Sequence, residues 1–239
     1  MSIITLEETT STNDYLKNRA DLLAENFLIV RAIRQTEGRG RQGKTWLMKG
    51  GLDLAFSMVY HPSLDISRIS GISLLAGLAI HRALRVFSQI SPMLKWPNDI
   101  MIDDHKIAGI LCESLCPANQ QIVIIGIGIN VNSRNFSEIG QKATSLSMAL
   151  GKDIHIENLF KNIILHLKSI LRKTQAECTQ QILSEYKKYC VNMRKKVFYR
   201  KHGKTRVAIA EDITASGAMI LDEKGHMFEY TGEILCPEK

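Results

Sequence analysis

The chain has 239 residues, 45% hydrophobic and 23% charged, a globular balance long enough to bury a core without staples. Its formal charge of +7 admits anionic partners, while five cysteines, odd in number and without a C-x-x-C pair, point away from a disulfide framework or a zinc site. No stretch reaches the roughly 18 apolar residues of a membrane span, and the start MSIITLEETT lacks the basic head and apolar core of a signal peptide, so a cytoplasmic protein is expected.

Ser11 with Asp14 three residues on resembles a helix start, and a helix is expected from about residue 12 to 24, with Tyr15, Leu16, Leu22 and Leu23 inward. FLIVRAI (27–33) is a β-branched run and reads as a strand. Residues 34–51 carry five glycines and many charges, and a loop of that length in a compact domain is usually functional. LDLAFSMVY (52–60) alternates as a strand does, and 67–89 reads as a long, mostly buried helix broken in its apolar run by Ser73, His81, Arg82 and Arg85. Short β pieces follow at 93–96, 100–103, 106–114 and 121–130, the last continuously apolar as in a central strand. Two helices are expected near 157–174 and 177–190. The tail changes character: VFYRK, RVAIAEDI, GAMILDE and HMFEYT are short strands between Gly-containing turns. The expected organisation is an α+β domain over 1–190, with a mixed or antiparallel sheet, and a small β-barrel over 191–239.

The glycine loop reads Gly38-Arg39-Gly40-Arg41-Gln42-Gly43-Lys44-Thr45-Trp46. By letter it satisfies both G-x-G-x-x-G and G-x-x-x-x-G-K-[ST], yet each of those needs a helix to open at the loop's end and face the phosphates. Gly50 and Gly51 would break such a helix, and a strand-like run follows, so neither a P-loop nor a dinucleotide fold is expected. The composition still suits a ligand. Glycines let backbone approach closely, two arginines and a lysine offer donors to phosphate or carboxylate, and Trp46 offers a face to a flat base. A mobile basic surface loop with Trp46 in the core reads equally from these letters.

Three further places carry chemistry. Lys95-Trp96-Pro97-Asn98-Asp99 is a sharp turn whose Asn98 and Asp99 either hold a hydrated Mg²⁺ or merely form the turn. Lys106 opens the apolar run Ile107–Leu111, so its ammonium either finds an anion or reaches solvent at the strand end. Gly126 and Gly128 interrupt the most apolar strand, a sign of close approach by a ligand or another backbone, and Asn130 ends it as a base-reading amide or a turn former. Ser-His-Asp sets, Cys-His pairs and H-E-x-x-H are lacking, which fits catalysis by positioning and electrostatics. A second basic run, Arg194, Lys195, Lys196, Arg200, Lys201, Lys204 and Arg206, comes without a helix-turn-helix, zinc finger or RNP-like pattern and reads as a solvated face.

Ser11-Thr12-Asn13, Gln35, GRGRQGKTW (38–46), KWPND (95–99), KIAGIL (106–111), GIGIN (126–130) and Gly232-Glu233-Ile234, in this order, resemble the biotin protein ligase family over nearly the whole chain. That resemblance implies a class II synthetase-like catalytic domain and an SH3-like C-terminal barrel. It implies two steps: biotin carboxylate attacks the α-phosphate of ATP to give biotinyl-5'-AMP, then a lysine of a biotin carboxyl carrier protein domain takes the biotin. Residue by residue it assigns Ser11, Thr12, Asn13, Gln35, Gly38, Arg39, Gly40, Arg41, Lys106, Gly109, Gly126 and Gly128 to biotin. Arg41, Lys44, Trp46, Lys95, Asn98, Asp99 and Asn130 go to ATP or the adenylate. Lys106, Arg39 and Arg41 would be catalytic, with Asp99 the candidate Mg²⁺ ligand. A monomer or homodimer is implied, with no membrane. Ser11 lies too near the start for the DNA-binding domain that some members carry, so sequence-specific DNA binding is not expected. Glu37 stands where a small residue is more usual. A lipoate ligase on the same fold and a basic nucleic-acid-binding module are the rival readings.

Overall fold

The computed structural model describes residues 2–62, 69–88, 90–117, 120–137, 142–173 and 176–235. Asp65, Cys236 and the expected helix ends at 67, 68, 89 and 174 lie outside these residues. Strands β1 (Ile3–Thr9), β2 (Ile29–Gln35), β3 (Leu54–Tyr60), β4 (Met93–Lys95), β5 (Asp99–Ile102), β6 (His105–Leu115) and β7 (Ile122–Ile129) form a seven-stranded sheet ordered β1-β2-β3-β7-β6-β5-β4. The β1–β2 pair is parallel and the other pairs are antiparallel, so the sheet is mixed. β1 was not expected from sequence. It is an edge strand with little burial, and its charged, half-exposed letters carry a weak strand signal.

Helices α3 (Ile69–Ser88), α5 (Ile156–Leu171) and α6 (Ala176–Tyr189) pack with one face of this sheet in the main core. The Gly71–Ser88 part of α3 is long and apolar enough to cross a membrane, but 72% of it is buried within the protein. Its polar breaks find partners there: Ser73 Oγ donates to the Pro97 carbonyl at 3.1 Å, His81 Nδ1 meets the Pro92 carbonyl at 2.6 Å while its Nε2 is buried without a hydrogen bond, and Arg82 Nε donates to Glu185 at 2.8 Å. A short helix, α4 (Leu146–Leu150), also went unread in the sequence.

The other face carries a smaller core of Leu16, Leu23, Leu28, Val30, Val59, Ile122 and Ile124. The expected single helix over 12–24 is two: α1 (Thr12–Lys17) and α2 (Ala20–Leu23). The break falls at Asn18, a residue whose side chain competes with helical backbone.

The tail forms a second, antiparallel sheet of β8 (Lys196–Lys201), β9 (Lys204–Ile213), β10 (Met219–Glu223), β11 (His226–Tyr230) and β12 (Ile234–Leu235), ordered β11-β10-β9-β8-β12. Trp96 joins it to the first sheet. Its ring is buried, its Nε1 donates to the Gly217 carbonyl at 3.0 Å, and its backbone N–H donates to Asn192 Oδ1 at 2.9 Å. The Trp96–Pro97 peptide is cis, and Trp96-Pro97-Asn98 turns the chain from β4 into β5.

Candidate active site

Side chains alternate along a strand, so residues two apart share a face. On β7 the smaller core takes Ile122 and Ile124, and Gly126 and Gly128 come next on that face. Register puts Ser57 opposite Gly126 and Ala55 opposite Gly128 on β3, with Leu111 and Gly109 at the same levels on β6. Five small residues therefore stand where side chains would otherwise fill the sheet surface. A cavity of about 270 Å³ opens above them.

Two side chains use this floor. A Cβ at Gly126 would fall on the Asn13 amide, and one at Gly128 would fall within the Trp46 indole. Glycine in this strand thus admits neighbouring side chains, where a ligand or another backbone was expected. Trp46 also packs on Gly109, its Nε1 is buried without a hydrogen-bond partner, and Lys106 Nζ lies 5.8 Å from its ring centre.

One end of the cavity is neutral. Gln35 Oε1 accepts from Thr12 N at 2.8 Å and Thr12 Oγ1 at 3.1 Å. Ser57 Oγ, fully buried, lies 2.7 Å from Thr12 Oγ1 and 2.5 Å from Asn13 Oδ1. Asn13 Nδ2 donates to Glu113 at 2.8 Å. Ser11 occupies the N-cap of α1 with extended backbone, but its side chain makes no cap hydrogen bond and lines the cavity. Asp14, the other half of the expected helix-start pair, turns to Lys17 and Arg39.

The other end is cationic. The glycine loop is a tight hairpin: Trp46 N donates to the Gly38 carbonyl at 2.8 Å and Gly40 N to the Lys44 carbonyl at 2.7 Å. Gln42 and Gly43 turn it with φ of 55° and +74°. No helix opens after it; residues 46–50 lack regular structure and β3 follows. Arg39, Gly40, Arg41, Gln42, Lys44 and Trp46 all face the cavity. Arg39 pairs with Asp14 and Glu113, and Lys44 pairs with Glu233, just before β12 of the second sheet. Ile234 and Leu235 complete that wall.

Lys106 finds its anion in Asp99, 2.6 Å away, with the two side chains 15% and 18% exposed. Its backbone is fixed too, donating to the Lys142 carbonyl and accepting from Thr144 N, both at 3.0 Å. Asn98 Nδ2 donates to the Ile110 carbonyl at 3.1 Å, which leaves its carbonyl oxygen available. Asp99 Oδ1 is buried, and the Lys106 ammonium is its ion-pair partner. Among the described residues there is no cluster of three or more His, Cys, Asp or Glu that would cage a metal. One carboxylate beside an amide oxygen nonetheless fits Mg²⁺, which keeps most of its shell as water and phosphate.

The structure brings Ser11, Thr12, Asn13, Gln35, Arg39, Gly40, Arg41, Lys44, Trp46, Lys95, Asn98, Asp99, Lys106, Gly109, Gly126 and Gly128 around this cavity. It does not bring Gly38 or Asn130 to its surface. Gly38 stands behind it, where a Cβ would fall on the Trp46 carbonyl. Asn130 is buried and donates its amide to the Thr144 carbonyl at 3.0 Å, so it ties down the 142–146 segment. Glu37 is exposed and off the cavity, its N–H given to the Thr10 carbonyl. Sequence reasoning passed over Ser57, Lys17 and Glu113; it read Asp14 as a helix start and took Glu233 only as part of the Gly232-Glu233-Ile234 match, giving neither a role in the site. A lone serine in a hydrophobic strand was a weak signal for the first, and common surface letters hid the rest.

Residues 5–130 match the biotin/lipoate A/B protein ligase family. The chain is 30% identical over 230 residues to the biotin–[acetyl-CoA-carboxylase] ligase of Mycobacterium tuberculosis, across 91% of this chain and 82% of that protein. It is 28% identical over 234 residues to the bifunctional ligase/repressor BirA of Escherichia coli, across 97% of this chain and 72% of that one. The fold matches the Aquifex aeolicus biotin protein ligase in complex with biotin and ATP with a TM-score of 0.84 at 26% identity, covering 98% of this chain and 97% of that chain.

Proposed function

The chain belongs to the biotin/lipoate A/B protein ligase family as a biotin protein ligase, and from that premise we propose how its own residues do the work. It activates biotin with ATP and transfers it to a biotin-dependent carboxylase. The observation that carries the residue assignment is one cavity with a neutral, hydrogen-bonded end and a cationic end, joined over a floor of small residues.

The neutral end suits the ureido head of biotin. Ser11, Thr12, Asn13 and Gln35 supply polar groups, with Thr12 and Asn13 oriented by Ser57 and Gln35 by Thr12. Gly109, Gly126 and Gly128 seat Trp46 and Asn13 low against the sheet, and the cavity beside those side chains would take the bicyclic ring and chain. The chain's carboxylate then reaches Lys106. There a carboxylate oxygen bonds to the α-phosphorus and pyrophosphate leaves. Two anions must meet for this, and Lys106, Arg39, Arg41 and Lys44 offset their repulsion most strongly where water is excluded. Trp46, with Lys95 nearby, lines the nucleotide side; Asn130 supports that region from behind. Mg²⁺, held at Asp99 and Asn98, would neutralise polyphosphate charge.

The acceptor is a lysine of a biotin carboxyl carrier domain, whose amine displaces AMP from the anhydride carbonyl. A cytoplasmic setting, and a monomer or homodimer, belong to the same proposal. So does the lack of sequence-specific DNA binding: Arg194, Lys195, Lys196, Arg200, Lys201, Lys204 and Arg206 are exposed, with Arg206 paired to Glu223 at 3.2 Å. A gel shift saturating at nanomolar protein in physiological salt would overturn that last point.

The test is to mix protein, ATP and Mg²⁺ with biotin or with lipoate, and to measure pyrophosphate and retained adenylate. Biotin-dependent pyrophosphate with bound adenylate is expected. A response to lipoate alone would refute the pocket assignment.

A further inference from the structure

Glu113 stands on β6 directly across from Ile124 of β7, on the face that carries the cavity floor. Its carboxylate is 21% exposed and meets three separate segments. Oε2 accepts from Asn13 Nδ2 at 2.8 Å, while Oε1 accepts from Lys17 Nζ at 3.0 Å and from Arg39 Nη2 at 3.1 Å. The other Arg39 terminal nitrogen goes to Asp14, which Lys17 also holds at 2.8 Å. One acid therefore joins α1, β6 and the glycine loop.

The chemistry of the partners makes this a coupling. An ionised carboxylate accepts hydrogen bonds and donates none. It thereby settles which way the Asn13 amide points: nitrogen toward Glu113 and the Leu111 carbonyl, oxygen toward Ser57. The same group fixes the leading arginine of the loop. Asn13 belongs to the neutral end and Arg39 to the cationic end, so a loop displaced from Glu113 loosens the acceptor that also orients the neutral end.

We propose that Glu113 is a positioning residue: it latches the glycine loop through Arg39 and registers Asn13, so that closure of the loop and retention of the adenylate are set by one side chain. This rests on the reading of the cavity as a biotinyl-adenylate site. Glutamine at 113 would keep the shape but present a single oxygen to three donors, with its own NH₂ facing the others.

The experiment compares wild type, Glu113→Gln, Arg39→Gln and the double variant. In ligand-free protein, trypsin cleavage after Arg41 and Lys44 reports loop opening. With biotin, ATP and Mg²⁺, the half-time of bound adenylate reports closure. Each single variant is expected to raise both rates by about tenfold, because cleavage follows the open population, with the melting temperature of Arg39→Gln near wild type. The double variant is expected to be no faster than either single, as for two members of one contact. Unchanged cleavage and retention in folded Glu113→Gln, or additive effects in the double variant, would overturn the latch. If Glu113→Gln fails to fold, the Arg39→Gln cleavage rate decides, and an unchanged rate overturns the proposal. Should wild type form no adenylate, the functional reading fails while the cleavage comparison still judges the latch.

Discussion

At the neutral end of the cavity Thr12, Gln35, Ser57 and Asn13 satisfy one another over a glycine hollow, whereas at the cationic end Lys106, Arg39 and Lys44 are each held by a carboxylate from another segment. The first set is neutral and buried, so each bond lost leaves a polar group without water, at about 1–3 kcal/mol. In the second set Arg39 and Lys44 are 43% and 62% exposed, and such pairs contribute about 0–1 kcal/mol and weaken with salt. The difference teaches how one cavity can be rigid toward an uncharged ring and yielding toward anions. Hydrogen bonds among neutral groups fix shape; exposed ion pairs leave cations that a phosphate can take over. Lys106 and Asp99 stand between the two kinds, an ion pair that is mostly buried.

The largest effect expected is at that pair. Lys106→Ala should slow single-turnover adenylation by about 10²–10³-fold, about 3–4 kcal/mol, with biotin affinity far less affected. Unchanged adenylation would remove Lys106 from the chemistry. Next comes the floor. Gly128→Ala drives a methyl group into the Trp46 indole, and overpacking of this kind costs about 1–3 kcal/mol, so the KM for ATP should rise by about tenfold or more. Gly126→Ala displaces Asn13 instead and should act on biotin; equal effects of both variants on both substrates would erase the division into ends.

Ser57→Ala removes the hydroxyl that Thr12 and Asn13 both contact, and biotin affinity measured by calorimetry should fall by about tenfold at any salt concentration. Lys44→Ala, which opens the bridge to Glu233, should change stability by no more than about 0.5 kcal/mol and shift activity a few-fold in low salt, with the difference fading as salt rises. If the salt dependence were reversed between these two variants, the contrast would be wrong.

The smallest effect concerns pH. Burial pushes the Asp14 carboxyl up, but the Lys17 hydrogen bond and the charges of Lys17 and Arg39 outweigh it and hold the group below its ordinary 3.8. Burial lowers the Lys17 ammonium, yet Asp14 and Glu113 hold it above 10.5. A depressed acid stabilises above its unfolded value and loses that contribution as pH falls through the folded one. A raised lysine stabilises below its unfolded value and loses it as pH rises through the folded one. The stability gap between wild type and Asp14→Asn in urea should therefore stay flat from about pH 5 to about pH 9. A gap closing within that window would break the assignment.

Much of the fold was legible because its signals are local. The alternation in 52–60, the apolar run at 121–130 and the Gly-separated strands of the tail each reappear as strands. β1 and α4 were not legible, one as a half-exposed edge strand and the other as five residues with weak periodicity. Of the candidate site, the glycine loop, KWPND and Lys106 stood out since their letters are costly without a purpose. Ser57 and Glu113 did not, because a serine in a strand and an acid near a surface are ordinary until their partners are known.

The sequence by itself determined the element types, the expendable false motifs in the loop, and the residue kinds that a carboxylate–phosphate reaction needs, since these follow from periodicity, turn chemistry and charge. Tertiary structure alone decided that Gly126 seats Asn13 and Gly128 seats Trp46, that Asn130 serves as a support, and that Lys106 faces Asp99. Those facts depend on strand register and on contacts between residues far apart in the chain, such as Asn13 with Glu113 and Lys44 with Glu233. Register is fixed by the summed burial of whole faces, and no single segment carries that sum.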